Sequence, residues 1–163
     1  MNEDYKKLLD DIGWHILREL QENARLPYAE LGRRVKLSTP AVVERVRRME
    51  EAGIIEGYRT EVCCARIGFP IKAFISVSVV GNTASRVNRV VTEMPEVAEC
   101  YRTTGSDSFL LKVCVSSVDH LQSVIDRLAP YVATTTSIVL STSVKHRPHD
   151  YENARLFAKA RAR

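Results

Sequence analysis

The chain has 163 residues, 45% of them hydrophobic and 27% charged, which is enough to bury one average core or two small ones. Charged residues interrupt its apolar runs well before the roughly 20 residues that cross a bilayer, so we expect no membrane partner. The four cysteines form no C-x-x-C pair and lack histidines at zinc-ligand spacing. We therefore predict no metal site, no disulfide framework and a cytoplasmic location.

Positive charge is concentrated in one segment. The formal charge of the chain is only +4, and residues 1–62 hold 11 basic and 12 acidic side chains. Residues 33–48, however, hold six basic side chains and the single acid Glu44. A local basic patch on a near-neutral domain is typical of proteins that contact nucleic-acid phosphates.

Three helices are predicted in the first 53 residues. The first begins at Leu9 and ends near Asn23, and the second begins at Pro27, a residue tolerated in the first turn of a helix. The third begins after Ser38, whose hydroxyl can cap it, and ends at a left-handed Gly53. The positions with helical period, expected to be buried, are Leu9, Ile12, Ile16, Leu20, Ala29, Leu31, Val35, Val42, Val46 and Met49. This arrangement predicts a helix-turn-helix domain over residues 1–60, with a short strand or wing at Ile54, Ile55 and Tyr58.

A helix-turn-helix places the N-terminal part of its last helix in the major groove of DNA. Projection at about 100° per residue identifies the side chains opposite or beside the buried stripe. The candidates for base contact are Thr39, Pro40, Val43, Glu44 and Arg47, and those for phosphate contact are Arg33, Arg34, Arg45 and Arg48. The alternative is a solvated helix face on which these arginines pair with Glu44, Glu50 and Glu51.

After an expected linker at residues 61–70, the pattern changes to strands and helices in the order β-α-β-β-α-β. The strands are expected at 71–80, 97–104, 109–115 and 133–146, a turn at 81–83, and the helices at 84–94 and after the capping residue Ser117. This order predicts a ferredoxin-like α+β domain over residues 71–147, with both helices on one face of an antiparallel sheet. A basic tail follows at residues 148–163.

The other face of that sheet would be open in a monomer. Its apolar residues are expected from among Phe74, Cys100, Leu110, Cys114, Ile138 and Leu140 or their alternates. Because exposed apolar patches favour association, we predict a homodimer.

Two stretches of sequence resemble a known family. The run LDDIGWHILRELQENARLPYAELGRRVKLS, followed by RVRRMEEAGIIEGY, resembles the helix-turn-helix of the Lrp/AsnC (feast/famine) regulators, and TTGSDSFLLKV resembles their effector-domain turn. The resemblance covers residues 8–147. It implies a transcription factor that binds double-stranded DNA as dimers assembled into rings, commonly octamers, and that is often tuned by an amino acid.

The resemblance also implies site residues. Ser38 would cap the recognition helix, and Arg45, Arg47 and Arg48 would lie at the DNA. The effector site would lie at the oligomer interface, close to a dimer–dimer contact, and would be formed by Thr103, Thr104, Gly105, Ser106, Asp107, Ser108, Thr134, Thr135, Thr136 and Ser137. A carboxylate and free backbone N–H groups suit a zwitterionic amino acid. The alternative is an ordinary hairpin in which Gly105 supplies positive φ and Asp107 bonds its own backbone.

Three positions depart from the family pattern. Gly13 stands where the family usually has aspartate, Lys36 where it usually has glycine, and Ser108 where many members have an acid. If Lys36 is left-handed, it costs about 1 kcal/mol.

A DNA-binding regulator requires no catalytic residue, metal or cofactor. An enzyme on the same scaffold is the chief alternative, because some haem-pathway decarboxylases resemble these regulators. A second alternative is an architectural protein that coats DNA with little sequence preference.

Overall fold

A computed structural model describes residues 3–79 and 84–152. The chain forms two compact units, of which the first contains residues up to Thr60 together with those from Val144, and the second spans Glu61–Ser143. The expected linker at 61–70 thus belongs to the second unit. Within the described residues, no helix is long and apolar enough to span a membrane.

The first unit is a helix-turn-helix domain, as predicted. Its helices are α1 Glu3–Leu8, α2 Asp11–Glu22, α3 Tyr28–Val35 and α4 Thr39–Glu51. The sequence pattern did not predict α1. It also placed the start of α2 at Leu9, whereas Asp10 caps that helix by accepting a 2.8 Å hydrogen bond from the N–H of Gly13. An N-cap residue has extended backbone, so the chain turns there between two helices.

The core of this unit follows the predicted periodicity. Its buried residues are Ile16, Leu20, Leu26, Leu31, Val35, Val42, Val46 and Met49. Leu9 and Ile12 are half-buried, and Ala29 is exposed. The expectation for Ala29 was wrong because residues two apart on a helix point about 200° apart, and Leu31 faces the core.

The wing expected after α4 is not a strand. Gly53 has φ +67°, and the N–H groups of Ile54 and Ile55 both donate to the carbonyl of Met49, at 2.9 and 3.2 Å. These bonds satisfy the end of the helix and turn both isoleucines back against the core. The backbone of residues 54–60 therefore pairs with no neighbouring strand among the described residues.

Residues 144–152 also pack within the first unit. Gln21 on α2 exchanges two 2.8 Å hydrogen bonds with the backbone of His149. The rings of Trp14 and Tyr151 lie 6.3 Å apart, centroid to centroid. The described start of the basic tail is thus anchored on α2; residues 153–163 lie outside the described part of the chain.

The second unit has the predicted ferredoxin-like topology. A 3-10 helix, Cys64–Ile67, precedes β1 Ile71–Ser78, α5 Ala84–Thr92, β2 Val97–Arg102, β3 Phe109–Val115, α6 Val118–Leu128 and β4 Ala133–Ile138. The strands pair antiparallel in the order β2-β3-β1-β4. The turn predicted at residues 81–83 lies outside the described residues. Ser117 caps α6 as expected, accepting a 3.0 Å bond from the N–H of His120.

Four elements are shorter than predicted, since β1 ends at Ser78, α5 at Thr92, β2 at Arg102 and β4 at Ile138. The reason for β4 lies in its register. Ala73 on β1 pairs with Ile138 on β4, and the two strands are antiparallel. Because β1 begins at Ile71, only two of its residues remain to pair with β4 beyond Ile138.

The register also decides which side chains share a face. Ala73, Ile75 and Val77 alternate with Phe74 and Ser76 on β1, and the former three are fully buried with α5 and α6 against them. Cys100 pairs with Leu111, and Ile138 with Ala73. Because paired residues point the same way, these two side chains lie on the helix-covered side, and their placement on the open face was wrong.

Three of the predicted residues, Phe74, Leu110 and Cys114, do lie on the open face, joined by Tyr101 and Lys112. Leu140 lies beyond the last strand and is 97% exposed.

A polar cluster joins the start of β2 to α6. Glu96, whose side chain is only 13% exposed, accepts hydrogen bonds from Arg127 at 2.7 Å and from His120 at 3.2 Å. His120 also contacts the hydroxyl of Ser116 through Nδ1, at 3.0 Å. Burial alone would raise the pKa of Glu96, but bonds from Arg127, from its own backbone N–H and from His120 lower it to about 2.

Candidate DNA interface and effector turn

The start of the recognition helix α4 is fixed by local geometry. Lys36 has φ 58° and ψ 42°, the left-handed conformation expected from its place in the turn. The N–H of Leu37 then donates to the carbonyl of Gly32 at 2.9 Å. Ser38 caps the helix, accepting from the N–H of Ala41 at 3.4 Å, and Pro40 occupies the first turn without needing a partner.

The five predicted base-contact residues lie on one exposed face of α4. Thr39, Pro40, Val43, Glu44 and Arg47 are all exposed, opposite the stripe that α4 buries. Val43 is 42% exposed although apolar. An apolar side chain on such a face can contact a thymine methyl group.

Most of the basic side chains around this face are paired with carboxylates of the same domain. Arg33 pairs with Glu30, and Arg34 bonds both Glu30 at 3.0 Å and Glu19 at 2.6 Å. Arg34 thereby holds the pKa of the Glu30 carboxyl below its usual value. The salt-bridged face weighed from the sequence is thus present in the unbound protein.

Arg47 lies at the centre of this pairing. It bonds Glu44 at 2.8 Å and also contacts Glu51. The bond from Arg47, helped by the nearby charge of Arg48, lowers the pKa of Glu44. Glu50 instead accepts a 2.9 Å bond from the hydroxyl of Tyr58, and burial together with this bond raises the pKa of Tyr58.

Arg45 differs from the other predicted phosphate contacts because it faces α1. Its guanidinium forms an ion pair with Asp10 and donates to the carbonyl of Lys7 at 3.3 Å. Only 22% of its side chain is exposed, and its Nε is buried with no hydrogen-bond partner among the described residues. Arg45 therefore connects α4 to the α1–α2 junction through an ion pair and a hydrogen bond. The hydrophobic period of the sequence does not mark α1, so this contact could not be predicted from it.

The predicted effector turn is held by hydroxyl groups. Ser78, at the end of β1, donates to Asp107 Oδ1 at 2.9 Å, and Thr103 donates to the Asp107 carbonyl at 2.7 Å. Gly105 has φ +108°, which favours glycine. Asp107 is thus oriented by a residue 29 positions away, and Ser78 was missed because no local pattern marks such a contact.

The sheet brings Ser108 and Thr134 to the same end of the domain, whereas Thr136 and Ser137 lie further along β4, opposite the middle of β1. The N–H of Ser108 donates to the carbonyl of Val77 at 2.8 Å, and Val77 pairs with Thr134 on β4. Thr135 and Ser137 share the open face, whereas Thr134 and Thr136 point to the helix side. Thr104, Gly105 and Ser106 form the exposed tip.

Two family models match the chain. The model of the AsnC-type helix-turn-helix domain matches residues 9–50, and that of the Lrp/AsnC ligand-binding domain matches residues 72–149. The chain belongs to the Lrp/AsnC family of transcription regulators. LrpC of Bacillus subtilis is 35% identical over 82% of this chain and 92% of its own length. The proline dehydrogenase transcriptional activator of Rhodobacter capsulatus is 37% identical over 84% of this chain and 93% of its own length.

Solved Lrp/AsnC structures agree in fold over nearly their whole length. LrpC of Bacillus subtilis superposes with a TM-score of 0.80 at 33% identity, covering 85% of this chain and 99% of that one. A Neisseria meningitidis regulator solved as a complex with L-methionine superposes with a TM-score of 0.82 at 28% identity, covering 90% and 99%.

Proposed function

We propose that this Lrp/AsnC protein is a sequence-specific transcription regulator, and that an amino acid bound at the 103–108 turn changes how it binds DNA. The observation that carries the DNA-binding part is the exposed face of α4, which has Thr39, Val43 and Arg47 aligned beyond a capped N-terminus. This function requires contacts with base edges in the groove, contacts with phosphates, and a ligand that shifts the assembly of the protein. We therefore assign it no catalytic residue, metal or cofactor.

The ion pairs on the DNA face favour this function because they are exchangeable. Arg47 is 53% exposed, and its partners Glu44 and Glu51 are 57% and 59% exposed. Exposed ion pairs contribute little to stability. Arg47 can therefore leave them for a guanine edge, where a good bidentate contact is worth about 1–3 kcal/mol.

The effector part of the proposal rests on Asp107. Its carboxylate is held at the end of the sheet by Ser78, next to the exposed and glycine-containing tip. A fixed carboxylate suits the ammonium group of an amino acid, and free backbone N–H groups of a turn suit its carboxylate. The L-methionine complex of the Neisseria meningitidis relative supports the same class of ligand.

We also propose that the protein works as a dimer that assembles further, with an octamer as the expected ring. The open sheet face supplies the dimer contact, because Phe74, Leu110 and the half-exposed Tyr101 lie on it without cover from α5 or α6. A dimer with two recognition helices would bind half-sites about 34 Å apart, or multiples of this spacing.

Footprinting tests the function directly. The purified protein is incubated with the DNA upstream of its own gene and with other promoters, in the presence of excess unrelated duplex, with and without a pool of amino acids. We expect protection that survives the competitor and changes with the pool.

Two variants separate the parts of the proposal. Arg47→Ala should weaken the specific footprint by about tenfold or more, whereas Asp107→Asn should keep the footprint and lose its response to amino acids. Uniform protection that the competitor removes would instead indicate an architectural protein. No protection on any promoter would contradict the proposal.

A further inference from the structure

A cleft of about 420 Å³ lies between α1 and α4. Its polar lining residues are Lys7 and Asp10 from the α1–α2 side and Glu44, Arg45 and Arg48 from α4. Counting the residues that the structure describes, the cleft carries three cationic and two anionic side chains. It depends on α1, which the sequence analysis did not predict.

Among the described residues, both carboxylates of the cleft are already in ion pairs, and two of its cationic side chains are not. Asp10 is paired with Arg45, and Glu44 is bonded to Arg47, which lies outside the cleft. Within the part of the chain that the structure describes, neither Lys7 nor Arg48 forms an ion pair within 4.0 Å. Both side chains are exposed at the cleft, where they can bind an anion.

The position of the cleft links it to the recognition face. Ala41, Glu44 and Arg48 line the cleft at positions i, i+3 and i+7 of α4, so they form one continuous edge of the helix. Glu44 also belongs to the base-contact face. When α4 enters a major groove, a DNA strand beside that groove passes along this edge.

We propose that the α1–α4 cleft holds a backbone phosphate of the bound DNA, with Lys7 and Arg48 as its direct partners and the Arg45–Asp10 pair as its fixed wall. This assignment rests on the proposed DNA-binding function and adds α1 to the interface. A phosphate contact of this kind orients the protein on the duplex without reading sequence.

The lack of a side chain at Gly13 makes room for α1 beside the cleft. A Cβ at position 13 would overlap the carbonyl oxygen of Leu8, the last residue of α1, and would lie 3.0 Å from the Met49 side chain. The absence of a Cβ at position 13 therefore allows α1 to approach α2 closely. This approach holds Lys7 over the cleft.

The test is the salt dependence of DNA affinity for Lys7→Gln, Arg48→Gln and the double variant, on a footprinted duplex and on an unrelated one. Each lost phosphate contact should lower the slope of log K against log salt by about 1, and affinity should fall roughly three- to tenfold at about 100 mM salt. Because phosphate contacts are independent of sequence, both duplexes should show the change. Circular dichroism confirms that the variants are folded.

Arg18→Gln is the matched control, since Arg18 lies on α2, pairs with Glu22 at 3.4 Å and is outside the cleft. It removes the same charge and should leave the slope unchanged. Equal slopes for wild type, Lys7→Gln and Arg48→Gln on both duplexes would overturn the phosphate assignment while leaving a specific footprint, and hence the proposed function, intact. A slope that falls equally in Arg18→Gln would overturn it as well, by indicating a general effect of charge.

A second experiment distinguishes a site for DNA phosphate from a site for a free anionic ligand. The protein is titrated with inorganic phosphate, and binding is followed by the amide NMR signals of residues 7–10 and 41–48. Weak binding at millimolar concentration that Lys7→Gln abolishes is expected. Tight phosphate binding combined with unchanged salt slopes in the variants would overturn the DNA assignment in favour of a free anionic ligand.

Discussion

The exposed face of α4 and the polar cluster around Glu96 use their ion pairs in different ways. In the helix-turn-helix unit, the pairs of Arg47 with Glu44 and Glu51 are more than half exposed. In the α+β unit, Glu96 is 13% exposed and binds both Arg127 and His120. The first set lies on the face that we assign to DNA, and the second lies between β2 and α6.

This difference in burial indicates a difference in role. An exposed pair is screened by water, so its partners can exchange for phosphates or bases at little cost. A nearly buried carboxylate has lost most of its hydration and depends on its partners. The Glu96 cluster therefore holds the fold together, whereas the pairs on α4 keep arginines in place until DNA replaces the carboxylates.

Glu96→Gln tests the structural side of this comparison and should have the largest effect. Removing the charge leaves Arg127 and His120 without their anionic partner, so we expect the α+β unit to lose on the order of 2 kcal/mol of unfolding free energy. Urea unfolding followed by circular dichroism measures the loss. Fluorescence of Trp14, the single tryptophan, reports the helix-turn-helix unit and should change little. Equal losses by both probes would contradict a role confined to the α+β unit.

The same cluster predicts a dependence on acid. Because the pKa of Glu96 falls from 4.5 to about 2 on folding, its contribution to stability is fully present above about pH 5 and is lost as the pH falls towards 2. Urea midpoints of the α+β unit should therefore decrease through this range. In Glu96→Gln the decrease should be smaller, and an identical decrease in both proteins would exclude Glu96 as its source.

The sequence predicted those parts of the molecule that depend on local period. The buried stripe Val42, Val46 and Met49, the caps at Ser38 and Ser117, and the order of strands and helices along the second unit all followed from it. Each of these features depends on residues within about one turn or one strand of each other.

Long-range contacts could not be predicted in this way. The bond from Ser78 to Asp107 joins residues 29 apart, and Arg45 reaches back to Asp10 at the start of α2. The open-face residues were assigned only in part, because a register shift between Val97 and Glu99 places Cys100 on the helix side. Such a bulge leaves no signal in a strand of alternating character.

Gly13→Ala should have the next largest effect, in the helix-turn-helix unit. Alanine favours a helix over glycine by about 1 kcal/mol, so an increase in stability would be expected from propensity alone. Its Cβ, however, would overlap the Leu8 carbonyl. We therefore expect a net loss of about 1–2 kcal/mol, measured by Trp14 fluorescence in urea, together with displacement of α1.

The displacement of α1 gives this prediction a second readout. If Gly13→Ala moves Lys7 away from the cleft, its salt slope for DNA should resemble that of Lys7→Gln. A variant that is more stable than wild type and has an unchanged slope would show that α1 does not need the close approach.

Lys36→Gly should produce a smaller change of opposite sign. Lys36 is left-handed at φ 58°, and glycine adopts this conformation without the steric cost of about 1 kcal/mol. We expect the unfolding free energy of the helix-turn-helix unit to rise by somewhat less than 1 kcal/mol, since glycine also gains entropy in the unfolded chain. Lys36→Ala removes the same charge but keeps the Cβ, so it should give no increase. Equal gains for both variants would assign the effect to charge rather than to backbone strain.

Glu51→Gln makes the same chemical change as Glu96→Gln but on an exposed pair, and its effect on stability should be the smallest. Arg47 keeps its bond to Glu44 at 2.8 Å, so the urea midpoint should not move measurably. Affinity for DNA should rise severalfold at low salt, because one carboxylate that competes with the phosphates for Arg47 is gone. Fluorescence anisotropy on the footprinted duplex measures this gain. A clear loss of stability with no gain in affinity would mean that the α4 pairs stabilise the fold as Glu96 does, and the distinction between these two sets of ion pairs would not stand.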